Sequence, residues 1–246
     1  MRIGLVLCAA LALAAPAAAA DGKALFGRYC ASCHGPTGQG TTGQQYGGSQ
    51  ARNQNVQLGQ GPSLRGVGAL AADFYLRTGY MPLKKNGIQP RRSRLVLGPQ
   101  EIDALIAYVA SLGEGPPVPD VHPENGDVAE GMHLFRSHCA GCHQIVAQGG
   151  YITDAVPPAL GEATPTQIAE AVRLGPYVMP AFSKKTISDA ELDSIVKYVR
   201  YADHPDNRGG WALGNIGPIP EGLVSWFLAG TVLIGVCIVI GKRLHE

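Results

Sequence analysis

The chain has 246 residues, 46% of them hydrophobic and 16% charged, with a formal net charge of +1. That balance lacks the basic excess of a nucleic-acid-binding domain, so no nucleic-acid partner is expected. The six cysteines carry more information than the bulk composition.

Met1-Arg2 followed by the apolar run Ile3 to Ala15 reads as a secretory leader. Ala18-Ala19-Ala20 before Asp21 offers a small-residue cleavage site, so residues 1–20 are assigned as a signal peptide, with an uncleaved N-terminal anchor as the alternative. Leu5-Val6-Leu7 before Cys8 lacks the small residue of a lipid-anchor site.

Residues 21–112 form a first domain and 129–202 a second, built on one template. Gly22-Lys23-Ala24-Leu25-Phe26 before Tyr29-Cys30 corresponds to Gly131-Met132-His133-Leu134-Phe135 before His138-Cys139. Each copy then runs through a polar loop to Pro62-Ser63-Leu64 or Pro158-Ala159-Leu160. A short helix follows, stopped at Gly79 or Gly175. Each copy closes with an amphipathic helix, begun by Glu101-Ile102 or Glu191-Leu192, whose apolar residues recur at helical spacing. Asp127 to Glu130, Thr164 to Gln167 and Ser188 to Glu191 read as capping boxes.

Residues 113–128, rich in Pro, Gly and acids, read as a linker, and 203–221 as a stalk. Residues 222–241 contain no charge and, at about 1.5 Å per residue, reach roughly 30 Å, enough to cross a bilayer. Trp226 near one end and Lys242-Arg243 at the other predict a single-pass plasma-membrane helix with a cytoplasmic C-terminus. Two loops of the first domain, 35–61 and 84–94, are unusually long, and the sequence does not give their role.

The chemistry lies in Cys30-Ala31-Ser32-Cys33-His34 and Cys139-Ala140-Gly141-Cys142-His143, each followed by a Met-Pro pair, Met81-Pro82 and Met179-Pro180. Cys-x-x-Cys-His is the attachment signature of c-type haem. It predicts two covalently bound haem c groups, with thioethers from Cys30, Cys33, Cys139 and Cys142. His34 and His143 are then axial nitrogen ligands, and Met81 and Met179 the opposing sulfur ligands, a pairing that suits electron carriers. The competing readings are zinc ligands, a thioredoxin-like pair and structural disulfides. A zinc site wants four ligands, and a thioredoxin-like pair belongs in a βαβ context that this chain lacks. Core filler is the competing reading for both methionines. Cys237 reads as an apolar filler, and His122, His133, His138, His204 and His245 as surface or packing residues.

The near-zero net charge hides an asymmetry. Residues 21–112 carry ten Lys and Arg against four Asp and Glu, whereas residues 113–201 carry six against eleven. Lys84, Lys85, Arg91, Arg92 and Arg94 cluster just after Met81. They suit electrostatic docking of a redox partner, a solvated loop, or attraction between the two domains.

In feature order, and above all at Gly214-Asn215-Ile216-Gly217-Pro218-Ile219-Pro220-Glu221-Gly222-Leu223-Val224-Ser225-Trp226, the chain resembles the di-haem cytochrome cc subunit of actinobacterial-type cytochrome bcc complexes, the menaquinol–cytochrome c reductases. The resemblance implies a mainly α protein of two tandem class I cytochrome c-type domains with one C-terminal transmembrane helix. It implies cytochrome b and Rieske iron-sulfur subunits as partners, and a terminal oxidase or soluble cytochrome as acceptor. It further implies electron transfer with no substrate site of its own, the first haem receiving and the second donating. Pro62 and Pro158 resemble the class I prolines whose carbonyl accepts a hydrogen bond from the proximal histidine. A di-haem peroxidase, or a tethered cytochrome of another oxidase or periplasmic dehydrogenase, are the alternatives.

Overall fold

A computed structural model describes residues 20–41, 61–83, 89, 91–206 and 218–244. The calls on the leader, most of the loop 35–61, Lys84, Lys85 and most of the stalk fall outside them. The described residues are mainly helical, with an isolated bridge between Ile152 and Ala155. They make two units, one up to Asp203 and one from His204 onward.

The first unit contains two copies of one helical arrangement. In the first copy, α1 (Gly22–Tyr29) starts at Asp21, whose carboxylate accepts from the amides of Lys23 and Ala24. A one-turn helix, α2 (Ala31–His34), follows, then α3 (Gly68–Arg77) and α4 (Pro99–Ala110). The second copy repeats this with α5 (Val128–His138), α6 (Ala140–His143), α7 (Pro165–Leu174) and α8 (Asp189–Asp203).

The first and last helices of each copy cross, and both crossings use the same two devices. A methyl at Gly22 would overlap the Ala104 carbonyl, and one at Gly131 would overlap that of Ser194, so only glycine lets the backbones meet. Phe26 then packs against Tyr108 with ring centroids 5.1 Å apart, and Phe135 against Tyr198 at 5.4 Å. Phe26 and Phe135 are each about fully buried at the centre of their own apolar cluster. Removing such a ring costs about 3–5 kcal/mol.

The caps follow the sequence in part. Thr164 and Gln167 form a complete capping box, and so do Ser188 and Glu191. At α5 only half a box forms: Asp127 accepts from the Glu130 amide at 2.8 Å. The Glu130 carboxylate turns instead to the Ser194 hydroxyl, which in turn accepts from the Asp127 amide. Ser194 is buried, so this relay ties α5 to α8 from inside.

The segment 113–128, expected as a linker, is docked. Leu70 donates its amide to the Pro116 carbonyl at 3.1 Å, and a side chain at Gly68 would collide with Gly115 and Pro116. Further on, the turn Pro123–Asn125 sits on α8, with the His122 amide donating to Asp193 and Lys197 reaching the carbonyls of Glu124 and Gly126. The two domains also touch directly. Helices α3 and α7 pack on each other, Gln89 bonds Val156, and Arg92 bonds Gln167. Of the basic excursion, Arg92 bonds a neutral glutamine across the boundary and pairs with no acid among the described residues. Arg91 and Arg94 remain exposed.

In the second unit, α9 runs from Pro218 to Leu244, 27 residues. The most apolar part of its stretch Gly222–Leu244 has mean hydropathy 2.5, and none of that part is buried in the protein. Trp226, Phe227 and Val232 are exposed on it, as a lipid-facing helix requires.

Candidate haem sites

Each Cys-x-x-Cys-His lies on a sharp corner between two helices. Cys30 ends α1 and Cys139 ends α5, each amide donating back to the phenylalanine four residues earlier. The one-turn helix that follows delivers His34 or His143 into the interior. After it the backbone turns through an extended, positive-φ residue, Gly35 at φ 77° in the first copy and Gln144 at φ 60° in the second.

The returning loop then closes on the histidine in the same way twice. Gly40 and Gly149 donate their amides to the carbonyls of His34 and His143, and Leu64 and Leu160 donate to Gly38 and Ala147. This brings Pro62 and Pro158 beside the imidazoles. His34 Nδ1 lies 2.8 Å from the Pro62 carbonyl oxygen, and His143 Nδ1 lies 3.0 Å from that of Pro158. A carbonyl oxygen only accepts, so Nδ1 carries the proton in both rings and Nε2 keeps its lone pair. Burial holds both histidines below their ordinary pKa, against the opposing pull of the proline carbonyls. Both rings are therefore neutral with an unprotonated Nε2, the form that ligates iron.

The cysteines are equally telling. Burial, then the neighbouring Cys33 or Cys142, pushes Cys30 and Cys139 up to about 11. A thioredoxin-like pair works through a lowered thiol pKa, so that reading loses its chemical basis. Among the described residues no group of three or more His, Cys, Asp or Glu is arranged to hold a metal ion.

The methionines sit on loops that leave α3 and α7. The Met81 amide donates to the Tyr75 carbonyl, and the Met179 amide to that of Pro176. Both side chains are half-buried. Met179 packs against the apolar cluster that contains Cys139. The ring of Phe182, just past Met179-Pro180, meets that of His138, just before Cys139, at 5.7 Å. Arg173 fixes this loop by donating to the carbonyls of Phe182 and Ile187 and to Asp189. In the first copy the loop is closed by Ser93, whose hydroxyl donates to the Gly79 carbonyl at 2.6 Å. The sequence reading missed Arg173, Ser93 and Ser194, because nothing in the local pattern marks their partners.

Residues 19–113 match the family model for "Cytochrome c", and residues 126–199 match that for "Cytochrome C oxidase, cbb3-type, subunit III". A cytochrome bc1 complex cytochrome c subunit of Mycobacterium tuberculosis is 35% identical over 231 residues, 90% of this chain and 77% of that one. The corresponding subunit of Corynebacterium diphtheriae is 32% identical over 243 residues, 91% and 80% of the two chains. The chain belongs to the family of cytochrome bc1 complex cytochrome c subunits. A cbb3-type cytochrome c oxidase subunit CcoP of Azospirillum is 30% identical over 204 residues, covering 74% of this chain but 61% of that one. Among solved structures, a chain of the Kuenenia stuttgartiensis reducing HAO-like complex has a TM-score of 0.35 at 15% identity, over 74% of this chain and 94% of that one.

As a member of the bc1 cytochrome c subunit family the protein is an electron-transfer cytochrome. It is built of two cytochrome c-type domains and a C-terminal apolar helix consistent with a membrane anchor, and it carries covalently bound haem c in both domains.

Proposed function

We propose that this subunit is the outer-face electron bridge of a quinol-oxidising bc-type complex, receiving electrons from a Rieske centre and passing them to a terminal oxidase or soluble cytochrome. Cytochrome b and the Rieske protein are its partners in this reading. The observation that carries it is the duplicated His–Pro geometry. Two neutral, buried histidines are oriented identically, each in a domain with its own Met-Pro loop, in a chain spanning most of its bc1 relatives.

In this reading Cys30, Cys33, Cys139 and Cys142 form the thioethers, His34 and His143 are the proximal ligands, and Met81 and Met179 the distal ones. The haem supplies a reversible one-electron iron couple. The chain's own residues orient the imidazoles through Pro62 and Pro158, and hold water away with the Phe26 and Phe135 cores. Helix α9 anchors the chain, with Lys242 and Arg243 on the cytoplasmic side and both haem domains outside.

The subunit should co-purify with cytochrome b, and quinol should reduce its haems only while the Rieske protein is present. Met81→His or Met179→His should lower the potential of one haem and leave the other, since imidazole nitrogen favours ferric iron over thioether sulfur. Quinol oxidation at the normal rate in membranes lacking this chain would overturn the proposal. A variant in which neither midpoint moves would remove that methionine from the ligand set.

A further inference from the structure

Helix α7 meets helix α3 across the boundary between the two domains, and Glu170 lies in that seam with none of its surface exposed. Neither of its carboxyl oxygens accepts a hydrogen bond from a donor among the described residues, and the Asp73 carboxyl lies within hydrogen-bonding reach. The group opposite is another acid, Asp73 of α3, whose side chain is itself 11% exposed. Asp73 accepts from Arg77 Nε at 2.9 Å, and the same guanidinium also reaches Asp103 of α4. Asp73 and Asp103 therefore share Arg77, and Glu170 stands beside them with no cation bonded to it.

The remaining charges on elements packed against α7 are engaged elsewhere. Arg92 bonds Gln167, and Arg173 with Lys184 holds Asp189. On α8, Glu191 caps at Ser188 and Asp193 accepts from the His122 amide. Lys197 and Arg200 reach backbone carbonyls, and Asp203 packs at Gly161. An unpaired carboxylate is costly to bury, and a like charge beside it raises the cost. Burial first, then Asp73, pushes Glu170 up to about 9, with Arg77 pulling weakly the other way.

We propose that Glu170 and Asp73 hold a single proton between them, and that this proton latches the two haem domains together. While it is present, the Glu170 carboxylic acid faces the Asp73 carboxylate as a neutral neighbour, and α3 stays against α7. When the Glu170 O–H bond breaks and the proton passes to solvent, two like charges face each other in a dry seam, and α3 and α7 part. The separation between the two haem-bearing domains then grows. The consequence for electron transfer rests on the two-haem reading, but the latch itself does not.

The linkage has a definite sign. An unfolded Glu170 titrates near 4.5 and the folded one near 9. Between these values the folded chain retains a proton that the unfolded chain has lost, so this group's contribution to stability falls as pH rises and levels off above 9.

The test uses the full-length, haem-loaded protein in detergent, followed from neutral pH to above 9 by amide hydrogen exchange and infrared spectroscopy. The expected result is a protonated-carboxyl C=O band at neutral pH that is absent in Glu170→Gln. This band should vanish in the alkaline range together with exchange protection in α3 and α7, whereas α1 and α4 keep theirs. Glu170→Gln should keep α3 and α7 protected throughout, because it cannot ionise. If that variant fails to load haem, Glu170→Leu makes the same comparison. A neutral-pH spectrum with no Glu170-dependent band overturns the proposal, and so does alkaline loss of the band with α3 and α7 still protected. Neither readout uses electron transfer, so failure of the latch is distinguishable from failure of the bc-complex assignment.

Discussion

Gln89 and Val156 exchange two hydrogen bonds across the boundary between the domains, the Gln89 amide group donating to the Val156 carbonyl at 3.0 Å and accepting from its N–H at 2.7 Å. A side chain here does what a neighbouring strand does in a sheet, and it fixes part of the basic excursion onto the acidic domain. Gln89→Ala removes both bonds and leaves the Val156 backbone half-buried without these partners. At about 0.5–1.5 kcal/mol per bond, the seam should weaken by about 1–3 kcal/mol. Amide exchange at Val156 should accelerate while that of the α5 and α8 core does not. Unchanged exchange would show that the contact contributes nothing.

Arg173 should matter to the second haem more than its distance in sequence suggests. Its side chain is only 9% exposed and it donates to two carbonyls and a carboxylate in the chain that follows Met179. Arg173→Ala strands the Phe182 and Ile187 carbonyls, a loss of about 2–4 kcal/mol for charge-assisted bonds replaced by nothing. The expected outcome is a lower midpoint in urea and a weakened methionine-to-ferric-iron absorbance from one haem only. Loss of stability with both haem spectra intact would confine Arg173 to a structural role.

Gln144 occupies the backbone position that Gly35 fills in the first domain. At φ 60° and ψ 160° it lies in a region that glycine alone occupies without strain, at a cost of about 1–3 kcal/mol. Gln144→Gly should relieve that strain and, after the added chain entropy of glycine, stabilise the second domain by about 1 kcal/mol. Thermal unfolding of the haem-loaded chain checks it. A lower unfolding temperature would mean that the Gln144 side chain contributes more than the strain removes.

Arg91 and Arg94 are the described members of the basic cluster with exposed side chains and no assigned contact with the second domain. Arg91→Glu with Arg94→Glu should slow one partner-transfer step several-fold at low salt and flatten its salt dependence, leaving both haem spectra unchanged. Arg92→Glu acts differently, since Arg92 holds Gln167, and should loosen the domain seam. Equal rates at all salt concentrations would show that this face docks no partner.

The sequence by itself determined the chemistry and the repeat. Covalent haem attachment needs its cysteines and histidine within five residues, so the signature survives in one dimension. The matching Gly22–Phe26 and Gly131–Phe135 segments were legible because one template is used twice, whereas the close approach at each glycine and the Phe–Tyr contacts came from the fold. Helix α9 was legible for a similar reason: an uncharged run of bilayer length needs no tertiary contact to be recognised.

Only the tertiary structure decided how the two domains meet. Gln89 and Val156, or Asp73 and Glu170, are far apart in the chain, and no local periodicity distinguishes a glutamate facing solvent from one closed into a seam. On α7 the apolar residues Ile168, Ala169 and Val172 are buried, and so is the charged Glu170 between them. The neighbouring domain covers Glu170. Burial of a charge is a property of what packs against it, and that partner is set by the fold.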